Sequence, residues 1–104
     1  MIFVEYDSLI KSREAAAVRI AAEIQDTDDP IAAMEKANAE LSLFQMKINE
    51  CENRLFSSPD TYDKVYRLRF IKGKRVEAIA QSLHMDQSSV YRILRKIKQK
   101  VAKK

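Results

Sequence analysis

The sequence predicts an all-α protein, with an N-terminal helical hairpin or coiled coil followed by a C-terminal bundle of three helices. One glycine and two prolines in 104 residues are too few for the turns of a β-sandwich or β-barrel. Apolar residues recur in steps of three and four, which is the spacing of one face of a helix. No apolar run approaches the roughly 18–20 residues of a membrane span. The single cysteine excludes an internal disulfide framework, so we expect a cytoplasmic protein without membrane association.

The first predicted helix extends from about residue 4 to residue 25. Three consecutive alanines at positions 15–17 favour helix here. Residues in steps of three and four form its apolar side: Phe3, Tyr6, Ile10, Arg13, Ala17, Ile20 and Ile24. A short Asp-rich segment then interrupts the pattern, and so short a connection favours an antiparallel hairpin with the next helix.

The second predicted helix begins at Pro30, with Asp29 as its N-cap, and ends near Phe56. Its apolar stripe repeats in heptads: Met34, Ala37, Leu41, Phe44, Ile48, Cys51 and Leu55. An apolar stripe of this kind needs a partner, so we expect both the hairpin and a homodimer formed through these helices. The dimer contacts are assigned to five residues of the stripe: Met34, Leu41, Phe44, Ile48 and Leu55. Cys51 is interpreted as a buried structural thiol.

Charge divides the chain at Ser58. Residues 1–58 hold 6 Lys and Arg against 11 Asp and Glu, a net charge of −5. Residues 59–104 hold 13 Lys and Arg against 4 Asp and Glu, a net charge of +9. We therefore predict an acidic hairpin domain over residues 1–58, for oligomerisation or partner binding, and a basic domain over residues 59–104 that binds a polyanion.

Three helices are predicted in the basic domain, over about residues 60–72, 75–83 and 87–100, with a frayed end at Lys103 and Lys104. Ser58 and Pro59 resemble an N-cap and a first-turn proline, and Asp60 and Asp63 suit the dipole of the helix that follows. Gly73, the only glycine, fits the left-handed position after a helix. Tyr62, Tyr66 and Phe70 are interpreted as core.

The last two predicted helices carry the pattern of a helix-turn-helix. Ile79 and Leu83 share one face of the first helix, and Ala80 is small enough for a close crossing. Met85 fits the turn and Asp86 is a natural N-cap. The second helix continues the apolar stripe: Val90, Ile93, Leu94, Ile97 and Val101.

Residues 60–100 resemble the region-4 helix-turn-helix of bacterial sigma factors, and more closely the small phage and prophage transcription regulators of the ArpU and RinA groups. The resemblance is carried by residues 68–73, 79–83 and 88–92. It implies that the second helix of the motif enters the major groove and that its exposed N-terminal residues contact bases. Two positions depart from the pattern. His84 stands where glycine is usual, and Arg75 and Ala78 replace a capping box.

The sequence therefore predicts a sequence-specific regulator of transcription that binds double-stranded DNA, encoded by a phage or another mobile element. Arg and Gln side chains can hydrogen-bond guanine and adenine, and Lys suits phosphate contacts. The DNA-binding residues are predicted to be Gln87, Ser88, Ser89, Tyr91, Arg92, Arg95, Lys96, Lys74 and Arg75. Further phosphate contacts are expected from Lys72, Lys98, Lys100, Lys103 and Lys104.

Catalysis, a cofactor and a metal site are not expected. The one histidine, His84, rules out a triad or a histidine-based metal site, and one glycine rules out a phosphate-binding loop. Two alternatives to the regulator remain open. A small terminase-like subunit that recognises DNA for packaging would form a ring, and a sigma-like adaptor would bind RNA polymerase and little DNA.

Overall fold

The computed structural model describes residues 1–102, and it confirms the all-α class. The predicted fraying of Lys103 and Lys104 lies outside the described residues. The helices are α1 (Ile2–Asp26), α2 (Pro30–Ser57), α3 (Thr61–Tyr66), α4 (Val76–Leu83) and α5 (Gln87–Ala102). A π-helical turn over Arg67–Ile71 continues directly from α3.

Helices α1 and α2 run antiparallel. The Glu5 carboxylate accepts a hydrogen bond of 2.9 Å from Arg54, and Arg13 donates one of 2.9 Å to Gln45. Arg19 pairs with the Glu40 carboxylate further along. The residue numbers of these pairs increase along α1 and decrease along α2, as in an antiparallel pair of helices. Asp29 caps α2 as predicted, because its carboxylate accepts from the Ala32 N–H at 3.2 Å.

A small apolar cluster lies between α1 and α2, towards their connection. Ala16, Ile20 and Ala37 are buried there, and the half-buried side chains packed on them are Ile24, Leu41 and Phe44. The buried alanine is Ala16, whereas the predicted one, Ala17, is exposed. Three identical neighbouring residues do not distinguish these registers in the sequence.

The main core lies where the start of α1 and the end of α2 pack against α3, α4 and α5. It contains Phe3, Leu55, Val65, Tyr66, Val76, Ile79, Ala80, Val90, Leu94 and Ile97. Phe3 comes from α1 and Leu55 from α2, so buried side chains from both sides of residue 58 share one core. The division into two domains stays a prediction.

The residues assigned to a dimer interface lie mostly inside a single chain. Ile48 and Leu55 are 2% and 0% exposed, and Leu41 and Phe44 are half-buried against neighbouring residues. Met34 is exposed. Apart from Met34, the heptad stripe of α2 is therefore largely covered by α1 and by the main core, and its role as a dimer interface stays a prediction.

Asp63 ties the N-terminus of α1 to α3. Its buried carboxylate accepts hydrogen bonds from the backbone N–H groups of Ile2 (3.1 Å) and Phe3 (2.9 Å) and from the Ser58 hydroxyl (2.6 Å). The prediction that Ser58 caps the third helix is wrong. Asp60 caps it, by accepting from the N–H groups that follow, and Ser58 holds Asp63 instead.

An aromatic cluster joins α1 to α3. The ring of Tyr66 lies 5.4 Å from that of Phe3, 6.1 Å from Tyr6 and 4.9 Å from Phe70, between centroids. The Tyr66 hydroxyl donates to Asp7 at 3.3 Å. Burial, reinforced by this carboxylate, raises the pKa of Tyr66 well above its usual range. Phe70 is 49% exposed, which corrects its assignment to the core: its ring packs on Tyr66 from the surface.

Two left-handed residues end the helices of the basic half. Gly73 has φ +65° and follows the π-helical turn, as predicted. His84 has φ 54° and ψ 49° at the end of α4, which confirms the conformation expected there. The Asp86 backbone carbonyl then accepts from the N–H groups of Ser89 and Val90 and starts α5.

Candidate nucleic-acid interface

Helix α5 has one buried face and one exposed polar face. Val90, Leu94 and Ile97 are buried against the main core. The residues on the opposite side follow the helical period and are all exposed: Ser88, Arg92, Arg95 and Gln99. The structure thus places Ser88, Arg92 and Arg95 on one accessible surface, which we call the α5 face.

The other predicted contact residues of α5 flank this face. Tyr91 is 55% exposed on one flank, together with Lys98. Ser89 is half-buried on the other flank, where Lys96 is exposed and lines a surface depression with Tyr62 and Met1. Gln87 opens the helix and is exposed. Lys96 and Tyr91 therefore lie on opposite sides of the α5 face.

Lys74 and Arg75 lie in the exposed turn before α4. The Arg69 guanidinium donates a 3.1 Å hydrogen bond to the Lys74 carbonyl, and the Lys74 N–H donates one of 2.9 Å to the Leu68 carbonyl. These bonds fix the turn against the π-helical segment. Both backbone polar groups of Lys74 are therefore hydrogen-bonded to the segment that precedes it.

A groove lies between the π-helical turn and α5. Its base includes the buried side chains of Val76, at the start of α4, and Leu94. Two half-exposed aromatic rings and three cationic side chains also line it: Phe70, Tyr91, Arg69, Arg95 and Lys98. Of the predicted contacts, Tyr91, Arg95 and Lys98 therefore line the groove, whereas Lys74 and Arg75 precede its lining residue Val76 in the sequence.

Sequence reasoning missed Arg69 and Phe70 as members of this surface. Both residues lie in the π-helical turn, and no local sequence signal marks such a turn. The family resemblance over residues 68–73 and the excess of positive charge near residue 70 indicated this region without assigning either residue to the surface.

No cation in residues 59–102 forms an ion pair with a carboxylate. Within residues 1–102, the cations that form ion pairs are Lys11, Arg19 and Arg54, all in the acidic half. Asp60 and Asp63, two of the four carboxylates after residue 58, are hydrogen-bonded to backbone N–H groups. Within residues 1–102, the arginines of the α5 face therefore have no carboxylate as an ion-pair partner.

The described residues contain neither a metal-binding cluster nor a membrane-spanning helix. No group of three or more His, Cys, Asp or Glu side chains in residues 1–102 is arranged to hold a metal ion. No helix in the same range combines the length and the apolar character needed to cross a membrane. Burial raises the pKa of the Cys51 thiol, which disfavours a reactive thiolate.

Comparison of the chain with protein-family models, with curated proteins and with solved structures finds no match.

Proposed function

We propose that this protein binds double-stranded DNA in a sequence-specific manner and regulates transcription, as a product of a phage or another mobile element. Helices α4 and α5 form the helix-turn-helix, and α5 enters the major groove. The observation that carries the proposal is the α5 face, an exposed surface of arginine, serine and glutamine flanked by cations without ion-pair partners in residues 1–102.

Individual residues divide into two roles by position. Arg92 and Arg95 project opposite the buried stripe near the middle of α5, where a guanidinium can reach guanine O6 and N7. Ser88 lies one turn earlier and can contact a base or a phosphate. Lys74 and Arg75, in the turn before α4, are placed for the DNA backbone. Lys96 contacts phosphate on the far flank.

Two copies of the chain would place two such helices on a two-fold symmetric operator. Half-sites then lie about one helical turn apart, or a multiple of it, roughly 34–36 Å. The acidic hairpin is better suited to pairing the two copies than to a second DNA contact, because its net charge of −5 repels phosphate.

Fluorescence anisotropy with labelled duplex, titrated over a range of salt, tests the proposal. If four to six phosphates are neutralised, the logarithm of the association constant should fall with a slope of about −4 to −5 per monomer against the logarithm of salt concentration. Selection of bound sequences from a random pool then gives the operator. Lys47→Ala serves as the control, because it removes an exposed cation of the acidic hairpin and should leave duplex binding unchanged.

Two other outcomes would favour the alternatives. A ring of several subunits on DNA would favour a terminase-like subunit for DNA packaging. Absence of duplex binding at low salt would contradict the proposal and favour an adaptor that contacts RNA polymerase, for which the half-exposed Phe70 and Tyr91 would be the first residues to test.

A further inference from the structure

Helix α2 has a second heptad stripe that nothing in residues 1–102 covers. It follows steps of four and three and contains Ala32, Lys36, Ala39, Leu43, Met46, Glu50 and Asn53. Every one of these residues is exposed, with Leu43 at 60% and Met46 at 67%. The first stripe contacts α1 and the main core, so the second stripe lies on a different side of the same helix.

The centre of the second stripe is apolar and its two ends are oppositely charged. Ala39, Leu43 and Met46 form the centre, and the small side chain of Ala39 permits close approach of another helix. Lys36 lies seven residues before Leu43, and Glu50 lies seven residues after it. Neither Lys36 nor Glu50 forms an ion pair within the described part of the chain.

We infer that a second copy of this chain occupies the stripe, with the two α2 helices antiparallel. In a two-fold symmetric interface, a contact between one residue of the first copy and a different residue of the second copy occurs twice, once on each side of the axis. An antiparallel pairing centred near Leu43 brings Lys36 of one copy towards Glu50 of the other, at both ends. A parallel pairing would place Lys36 against Lys36 and Glu50 against Glu50, which is unfavourable.

The length of the stripe suits such an interface. From Ala32 to Asn53 the helix rises about 32 Å, which is three heptads. The interface deepens the proposed function, since it supplies the surface that pairs two DNA-binding modules. It also replaces the buried residues Ile48 and Leu55 as dimer contacts with residues that a partner can reach.

Sedimentation equilibrium without DNA tests the interface on the full chain. The wild type should change from monomer to dimer between about 1 and 500 μM chain concentration. Leu43→Asp should weaken association at least about a hundredfold, because it buries an unpaired charge. Val18→Asp is the matched control: Val18 is 73% exposed on the side of α1 turned away from α2, and this change should leave association unaltered.

Charge reversal tests the orientation. Lys36→Glu and Glu50→Lys should each weaken association about three- to tenfold, and the double variant should restore it. Circular dichroism melting of each variant checks that the monomer fold is retained. A wild type that stays monomeric throughout, or a Leu43→Asp variant that dimerises normally, would overturn the interface. A double variant no better than the single ones would overturn the antiparallel pairing.

These outcomes are independent of DNA binding. A short duplex that carries a single half-site measures the affinity of one α5 face, whichever oligomer forms. Failure of the interface therefore leaves that affinity intact, whereas failure of the proposed function removes it and leaves the sedimentation result unchanged.

Discussion

Replacing Asp63 should be among the most destabilising single changes at a polar position in this chain. The carboxylate is 1% exposed and accepts three hydrogen bonds, from the N–H groups of Ile2 and Phe3 and from the Ser58 hydroxyl. Asp63→Ala leaves these donors without an acceptor. Loss of a helix cap costs about 0.5–2 kcal/mol, and a charged hydrogen bond contributes about 1.5–3 kcal/mol.

Allowing for the desolvation of the carboxylate in the wild type, we expect Asp63→Ala to lower the free energy of unfolding by about 3 kcal/mol. For a chain of this size, that corresponds to a fall in Tm of roughly 12–20 °C. Asp63→Asn should cost about 2 kcal/mol. The amide keeps one acceptor oxygen, but its NH2 group replaces the other and faces groups that are themselves hydrogen-bond donors.

Urea denaturation followed by circular dichroism measures both changes. Asp60→Asn is the matched control, since Asp60 caps its own helix locally and Asn caps a helix equally well. It should stay within about 0.5 kcal/mol of the wild type. An Asp63→Ala variant equally close to the wild type would refute the claim that this carboxylate holds α1 on α3.

Three further outcomes are expected. Arg92→Ala should cost about 1–3 kcal/mol on the selected operator and relax sequence preference, whereas Lys100→Ala should weaken specific and random duplexes alike in anisotropy titrations. Burial and Asp7 raise the pKa of Tyr66 above 10.0, so the stability that its protonated form contributes is full below pH 10 and lost as pH rises further; Tyr66→Phe should reduce this alkaline loss in melts between about pH 9 and 12. His84→Gly should raise the free energy of unfolding by about 0.5–1 kcal/mol, because glycine adopts φ 54° without strain.

The helices and the α5 face follow from local sequence signals. Helical spacing selects Val90, Leu94 and Ile97 as the buried stripe, and the opposite side must then carry Arg92 and Arg95. The left-handed residues are local as well, since only a short turn separates the helices that they end. These features were predictable because each depends on residues within about two helical turns of one another.

The features that the sequence did not reveal depend on distant residues. Asp63 looks like a first-turn acid of its own helix, yet its carboxylate serves N–H groups about 60 residues earlier. The heptad stripe of α2 correctly indicates a need for a partner, but spacing alone does not say whether α1, the main core or another chain provides it. Phe70 lies in the π-helical turn, and the helical period did not predict its exposure.

The distance along the chain between Asp63 and its donors affects how the protein is synthesised. Helix α1 is translated before α3, and the carboxylate that completes its first turn follows about 60 residues later. At about 5–20 residues per second, this interval lasts several seconds. During that time Phe3 has neither Val65 nor Tyr66 to pack against. A nascent chain halted before residue 63 therefore lacks the α3 side chains that help to cover Phe3.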